Sequence, residues 1–176
     1  MKIKQVAFIN PKPFFKIIGK INYIDTSSVE DGHLNRIQVL KDNYPSRAQR
    51  TIQLNDILIS SVRPNLLHNY FVKNTIDYGV CSTGFIQIRV INSKINPRYI
   101  YYLLTSKNKI KLYCSVAESS QTTFPSFNKD IIEEIKIPNI SYDDQCHIVD
   151  TISCSLIFLL LFLLISYFLQ TYLIIH

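Results

Sequence analysis

The sequence predicts an α/β domain (α+β-like), in which short strands combine with a few helices, followed by one apolar C-terminal helix. Ile52–Val62 is rich in β-branched residues and bounded by turn formers, which indicates a strand. Phe85–Val90 alternates apolar with polar residues, so a strand with one buried face is expected. Asn96 and Pro97 then begin a helix that continues to about Lys111, with Asn96 as the N-cap and Pro97 at the first helical position.

Shorter elements complete the predicted order. The opening segment Ile3–Ile21 contains Pro11 and Pro13, which is typical of an edge segment and a turn. Ser141, with Asp144 three residues on, predicts the start of a further helix. The remaining predicted strands or extended connections are Tyr23–Ser28, Leu34–Leu40, Tyr70–Val72, Tyr78–Val80 and Ile135–Pro138.

Charge is distributed unevenly along the chain. The 176 residues include 19 Lys and Arg against 13 Asp and Glu, a net charge of +6, and all of these residues lie at or before Asp150. A basic domain favours a polyanionic partner such as nucleic acid or an anionic membrane surface. The alternative is that this charge only keeps a domain of this size soluble.

Cysteines and histidines give no sign of a disulfide framework or a metal site. The four cysteines lack a C-x-x-C pair and a secretory leader, which is typical of reduced core thiols. The four histidines are scattered without ligand spacing. Neither a metal nor a cofactor is therefore expected.

Arginine and amide side chains flank the strand at Ile52–Val62. Arg47 and Arg50 lie in a turn before it, and Arg63 and Asn65 in a turn after it. Arginine forks match both phosphate and guanine O6/N7, so these four residues are candidate nucleic-acid contacts. The structural alternative for Arg47 and Arg50 is a brace to Asp56 or Asp42, and Arg63-Pro64 also fits a rigid turn.

A second candidate cluster lies in a polar loop later in the chain. Hydroxyl, amide and ammonium groups suit base edges and phosphates, although an ordinary solvated loop has the same composition. The candidates in this loop are Gln121, Thr122, Thr123, Ser126, Asn128 and Lys129. Ser82–Gly84 fits a plain turn before a strand, and Gly84 would also allow close passage of a phosphate backbone.

Segments in this order resemble the target recognition domain of the specificity (S) subunit of type I restriction–modification enzymes. The resemblance covers roughly residues 6–152, and its most specific part is the pair formed by Pro45–Arg50 and Asp56–Asn65. The other segments that carry it are Val6–Pro11, Tyr23–Ser28, Ser82–Phe85 with Asn96–Leu104, Ser119–Asp130, and Ile135–Gln145.

The resemblance implies a curved, mixed β-sheet with a few helices, and a non-catalytic component that binds double-stranded DNA. Such a domain reads one half of a bipartite target and docks the methyltransferase (M) subunit, with the restriction (R) subunit as a further partner of the complex. Because only one such domain is present, the chain would pair with a second S half or dimerise. The implied location is cytoplasmic.

The last residues depart from this pattern. We therefore predict a recognition domain at 1–152 and an apolar helix at 153–176, because 156–175 holds no charge and is long enough to span a bilayer. The tail is explained by out-of-frame translation, a membrane anchor or an oligomerisation helix. The alternative functions are a C-terminally anchored, membrane-associated protein with a soluble domain of other function, and an inactive truncated remnant.

Overall fold

The computed structural model describes residues 1–120 and 125–155. The chain divides into two compact units, Met1–Asn139 and Ile140–His176. In the second unit, residues 142–155 are helical, and 156–176 lie outside the described part. The domain boundary predicted after residue 152 falls inside the second unit and stays a prediction.

The described residues form ten strands and four helices. The strands are β1 (Ala7–Ile9), β2 (Ile21–Ile24), β3 (Val29–Glu30), β4 (His33–Leu34), β5 (Gln38–Leu40), β6 (Ala48–Thr51), β7 (Ile57–Ser60), β8 (Tyr70–Phe71), β9 (Gly79–Ser82) and β10 (Phe85–Val90). The helices are α1 (Pro97–Leu104), α2 (Lys107–Glu118), α3 (Lys129–Glu133) and α4 (142–155).

Eight of these strands build two four-stranded sheets in the first unit. The first sheet has the order β1-β10-β7-β8 and is antiparallel throughout. The second has the order β5-β2-β9-β6, in which β2 and β9 run parallel. Strands β3 and β4 form a separate hairpin. The predicted class, a mixed α/β fold with a few helices, is confirmed.

Alternation along the second sheet places apolar side chains on both of its faces. Ile24 and Cys81 pack with Leu58 and Phe85 of the first sheet in one buried cluster. Tyr23, Ile21 and Val80 point to the other face, where the cluster includes Phe15, Ile17, Leu40 and Tyr44. Because side chains alternate across a strand, the two central strands β2 and β9 each contribute to two cores.

The segment predicted as one strand at Ile52–Val62 contains a turn followed by β7. Asn55 adopts a left-handed φ of 68°, which a strand does not allow. The Asp56 carboxylate accepts a hydrogen bond from the Gln53 backbone N–H at 2.7 Å and closes the turn. This turn joins β6 of the second sheet to β7 of the first.

The helix predicted from Asn96 to Lys111 is interrupted. Its start is confirmed, because the Asn96 side chain accepts hydrogen bonds from the backbone N–H groups of Arg98 and Tyr99, at 2.9 and 3.4 Å. The helix stops at Thr105, whose hydroxyl donates to the Tyr101 carbonyl, and α2 begins after Ser106. Ser and Thr favour helix ends because their hydroxyls compete for backbone groups.

Other short-range predictions differ in outcome. Ser141 caps α4, since its Oγ accepts from the Asp144 N–H at 3.1 Å, as predicted. Residues 135–138 form only an isolated bridge between Lys2 and Lys136 instead of a strand. Cys81 is a buried core thiol, whereas Cys154 is exposed, so the prediction of core thiols is wrong for Cys154.

Strand β10 is buried on both faces over most of its length, so the prediction of one buried face is wrong. Gln87 is fully buried, and its Nε2 donates to the Thr51 carbonyl at 2.9 Å and to Asp56 Oδ2 at 2.8 Å. The polar residue at the alternate position therefore lies in a buried polar cluster instead of facing solvent.

Asp56 is the centre of that cluster. Its carboxylate is fully buried and accepts from Arg89 Nε at 2.8 Å and from Arg89 Nη2 at 2.7 Å, while Arg89 Nη2 also reaches the Thr51 carbonyl at 3.2 Å. A bidentate arginine–carboxylate pair is among the strongest hydrogen-bonded pairs. The pair links β6, the turn and β10, and so connects the two sheets.

We expect Asp56→Ala to lower the free energy of unfolding by about 3–5 kcal/mol, because it leaves the largely buried Arg89 guanidinium without its carboxylate. Urea denaturation of the full chain measures this. The control is Glu134→Gln, which removes an exposed carboxylate paired with Lys2 and Lys4, and we expect a much smaller change there. Equal losses for the two variants would contradict the proposed role of the buried pair.

Candidate nucleic-acid interface

Backbone hydrogen bonds bring the first predicted turn next to the strand ends of both sheets. The Thr83 N–H donates to the Arg47 carbonyl at 2.9 Å. Thr83 belongs to the turn between β9 and β10. On the other side of that turn, the Ser61 N–H and the Ser61 hydroxyl both donate to the Gly84 carbonyl at 2.9 Å. The segments around Arg47, Thr83 and Ser61 therefore lie side by side.

The second predicted cluster continues this row. Val62 and Ser126 form an antiparallel bridge, in which the Phe127 N–H donates to the Ser61 carbonyl at 3.0 Å and the Arg63 N–H to the Pro125 carbonyl at 2.9 Å. Four segments that are distant in sequence thus form one edge of the first unit. We call 47–48, 82–84, 61–63 and 125–127 together the polar edge.

Arg47 is exposed at one end of the polar edge. Its guanidinium lies near Tyr23, a core residue of the second sheet. Burial raises the pKa of Tyr23, and the hydrogen bond to Ser82 and the positive charge of Arg47 oppose that increase. Arg47 is therefore an exposed cation next to a fixed strand end, which is a suitable position for contact with a phosphate or a base edge.

Arg50 occupies a different environment. It is half-buried in β6, and its Nη1 donates a hydrogen bond to the Phe85 carbonyl. Burial lowers the pKa of Arg50. Arg50 therefore has a structural role, as the alternative interpretation predicted, but its partner is a backbone carbonyl. The predicted partner Asp56 pairs with Arg89 instead. As a DNA contact, Arg50 stays a prediction.

Arg63 and Asn65 project from a short 3-10 turn at Pro64–Leu66, and both are exposed. Left-handed φ values stand on both sides of the turn, 49° at Arg63 and 54° at Leu67. Such conformations cost energy for residues other than glycine and concentrate at functional sites. The turn continues from the polar edge at Arg63 and exposes two polar side chains, the guanidinium of Arg63 and the amide of Asn65.

In the polar loop, the described candidates are Ser126, Asn128 and Lys129. Ser126 is half-buried in the bridge, and the Asn128 Oδ1 caps α3 by accepting from the Asp130 N–H at 3.2 Å. The exposed Lys129 ammonium donates to Glu133, and this hydrogen bond raises its pKa. A surface pair of this kind contributes little stability, so a phosphate can replace the glutamate as the partner of Lys129.

Three predicted contacts, Gln121, Thr122 and Thr123, lie outside the described residues and stay predictions. The sequence predicts a plain turn at Ser82–Gly84, whereas in the structure this turn joins the segments of Arg47 and Ser61. Its Thr83 is half-exposed at the centre of the polar edge. The Thr-Gly pair was the only signal in the sequence, because its neighbours Arg47 and Ser61 are brought to it by the fold.

Within residues 1–120 and 125–155, no group of three or more His, Cys, Asp or Glu side chains is arranged to hold a metal ion. The same part of the chain contains no helix that is long and apolar enough to cross a membrane. The predicted apolar span at 156–175 lies outside the described residues.

Residues 1–154 match the family model for the type I restriction modification DNA specificity domain. The chain belongs to this family. Its sequence is 28% identical over 141 residues to the type I restriction enzyme HindI specificity subunit of Haemophilus influenzae, which covers 79% of this chain and 30% of that protein. Specificity subunits of type I systems are non-catalytic DNA-recognition components.

Two solved structures share the fold. The HsdS subunit from Thermoanaerobacter tengcongensis superposes with a TM-score of 0.75 at 22% identity, over 88% of this chain and 40% of that one. A chain from work on the complex assembly and conformational transition of the type I R-M system gives 0.69 at 18% identity, over 88% and 41%. The chain therefore spans less than half the length of these relatives.

The different environments of Arg47 and Arg50 lead to a prediction about stability. Replacing Arg50 by alanine removes a donor from the Phe85 carbonyl and should lower the free energy of unfolding by about 1.5–3 kcal/mol, the range for hydrogen bonds to charged groups. Arg47→Ala changes an exposed side chain and should stay within about 0.5 kcal/mol. Urea denaturation of both variants tests this, and a larger loss for Arg47→Ala would contradict the assignment.

Proposed function

We propose that this chain binds double-stranded DNA through the polar edge and reads one half of a bipartite target, as the specificity component of a type I restriction–modification complex. The observation that carries the proposal is the juxtaposition of the segments that contain Arg47, Thr83, Arg63 and Ser126, drawn from four separate parts of the sequence, in a chain of the DNA specificity family.

The chemistry of the polar edge fits this function. Exposed arginine and lysine side chains supply phosphate contacts, which give affinity that depends on salt. Asn65 and the half-exposed hydroxyl of Thr83 supply donors and acceptors for base edges. Apart from Lys129, which begins α3, these side chains lie on turns next to buried strands, so the two sheets fix the spacing of the turns, as is common for binding residues on a rigid scaffold.

We further propose that the complete complex places this domain beside a methyltransferase subunit and a second recognition half. Two features support this arrangement: the family membership, and the fact that the chain spans 30% of the length of the Haemophilus relative. A single domain of this kind contacts only one half-site, so the second half-site needs another domain from a second chain or from a dimer.

The test measures affinity for mixed-sequence duplex DNA across a salt series, using the full chain. Arg47→Ala should weaken binding and reduce the slope of log K against log salt by about 0.9, the value for one lost phosphate contact. Lys73→Ala is the matched control, because Lys73 is also an exposed cation but follows β8 at the end near Asn55, away from the polar edge.

The control variant should bind as the unmodified chain does, because its cation lies at the far end of the sheets. If Lys73→Ala reduced the salt slope as much as Arg47→Ala, the affinity would come from net charge and not from the polar edge. If the unmodified chain failed to bind duplex DNA at low salt, the proposed function itself would be wrong.

A further inference from the structure

The hairpin β3–β4 contains none of the residues of the polar edge. Its two-residue loop, Asp31-Gly32, has positive φ values at both positions, 45° and 78°. This is the backbone of the tight turns that match the right-handed twist of paired strands. A two-stranded ribbon of this width is one of the two elements that the DNA major groove admits.

The segment that leads into the hairpin lies at the polar edge. A Cβ placed on Gly84 would meet the Thr26 Cγ2 at 3.1 Å, so the segment leading into β3 packs against the centre of that edge. Asp31 and Gly32 also line the same cavity, of about 200 Å³, as Leu67 and Asn69, which follow the 3-10 turn. The hairpin and the turn that carries Asn65 therefore flank one cleft.

The tip of the hairpin packs against a side chain of α1. A Cβ on Gly32 would lie 2.8 Å from the Tyr101 hydroxyl oxygen, so the loop backbone rests on the α1 side chain. Burial raises the pKa of Tyr101 to about 12, and the hydroxyl therefore stays protonated at neutral pH. This contact fixes the position of the loop relative to the cleft.

One buried amide is directed to the same cleft. Asn69 is only 5% exposed, and its Oδ1 accepts from the Ser60 N–H at 3.1 Å. Its NH₂ group has no acceptor among the described residues, although the side chain lines the cavity. An amide NH₂ group carries two donors, so this group is available to an acceptor on a ligand in the cleft.

Asp31 supplies the complementary group. Its side chain is exposed, and its carboxylate accepts no hydrogen bond from the described part of the chain. An ionised carboxylate only accepts hydrogen bonds and is repelled by phosphate. At a DNA interface it therefore fits an exocyclic amino group on a base, and cytosine N4 is the usual partner of aspartate in the major groove.

We propose that the hairpin β3–β4 is a second DNA-reading element, in which Asp31 accepts a hydrogen bond from the N4 amino group of a cytosine in the major groove. The proposal rests on the proposed function, since it needs duplex DNA at the polar edge. The exposed Arg36, two residues after β4, is a cation on the same segment that is available to phosphates.

The test is binding-site selection from a randomised duplex pool, using the full chain and two variants. Asp31→Asn keeps the fold, because Asn-Gly is the preferred sequence for this turn. It replaces an acceptor by an amide, which pairs with adenine better than with cytosine. Asp77→Asn is the matched control, an exposed aspartate two residues before β9, at the end of the sheet away from Ser82.

The unmodified chain and Asp77→Asn should select the same motif. Asp31→Asn should lose the preference for cytosine at one position by about 5- to 150-fold, with adenine favoured in its place. An unchanged motif for Asp31→Asn would overturn the role of the hairpin while leaving the proposed function intact, and so would a uniform gain in affinity for all sequences. If the unmodified chain selected no motif, the proposed function would fail with it.

Discussion

The buried Asp56 carboxylate is the constraint on which the rest of the first unit depends. It receives hydrogen bonds from the turn between the sheets and from Arg89 and Gln87 of β10. A buried charge is tolerated only when it is paired and fully hydrogen-bonded. The pair therefore fixes the β6–β7 connection against β10. Along β10, Arg89 lies about 14 Å from Phe85, the residue next to the polar edge, at 3.4 Å per residue.

This arrangement separates stability from recognition along the same strands. One end of β7 and β10 contains the buried charge pair, and the other end leads into turns with exposed polar side chains. Arg50 lies at the second of these ends, in β6 near Arg47, but its bond to the Phe85 carbonyl braces the fold. The four segments of the polar edge are joined by backbone hydrogen bonds, so their spacing does not depend on their exposed side chains.

Local signals in the sequence predicted local structure. The N-cap at Asn96 and the bounds of β10 follow from residues within a few positions, and the structure confirms both. Contacts between distant residues were not predictable in this way. Asp56 pairs with Arg89, 33 positions away, and not with the nearby Arg47 or Arg50. The same limit applies to the interface: the candidates were identified by residue type, but only the fold shows which of them lie together.

Photo-cross-linking tests the central claim most directly, because it asks which surface touches DNA. A photoreactive amino acid at Asn65, on the turn beyond the polar edge, should form cross-links to duplex DNA. The same amino acid at Lys73, equally exposed at the far end of the sheets, should form none under the same conditions. Cross-links from position 73 without cross-links from position 65 would contradict the account and place the DNA on the opposite surface.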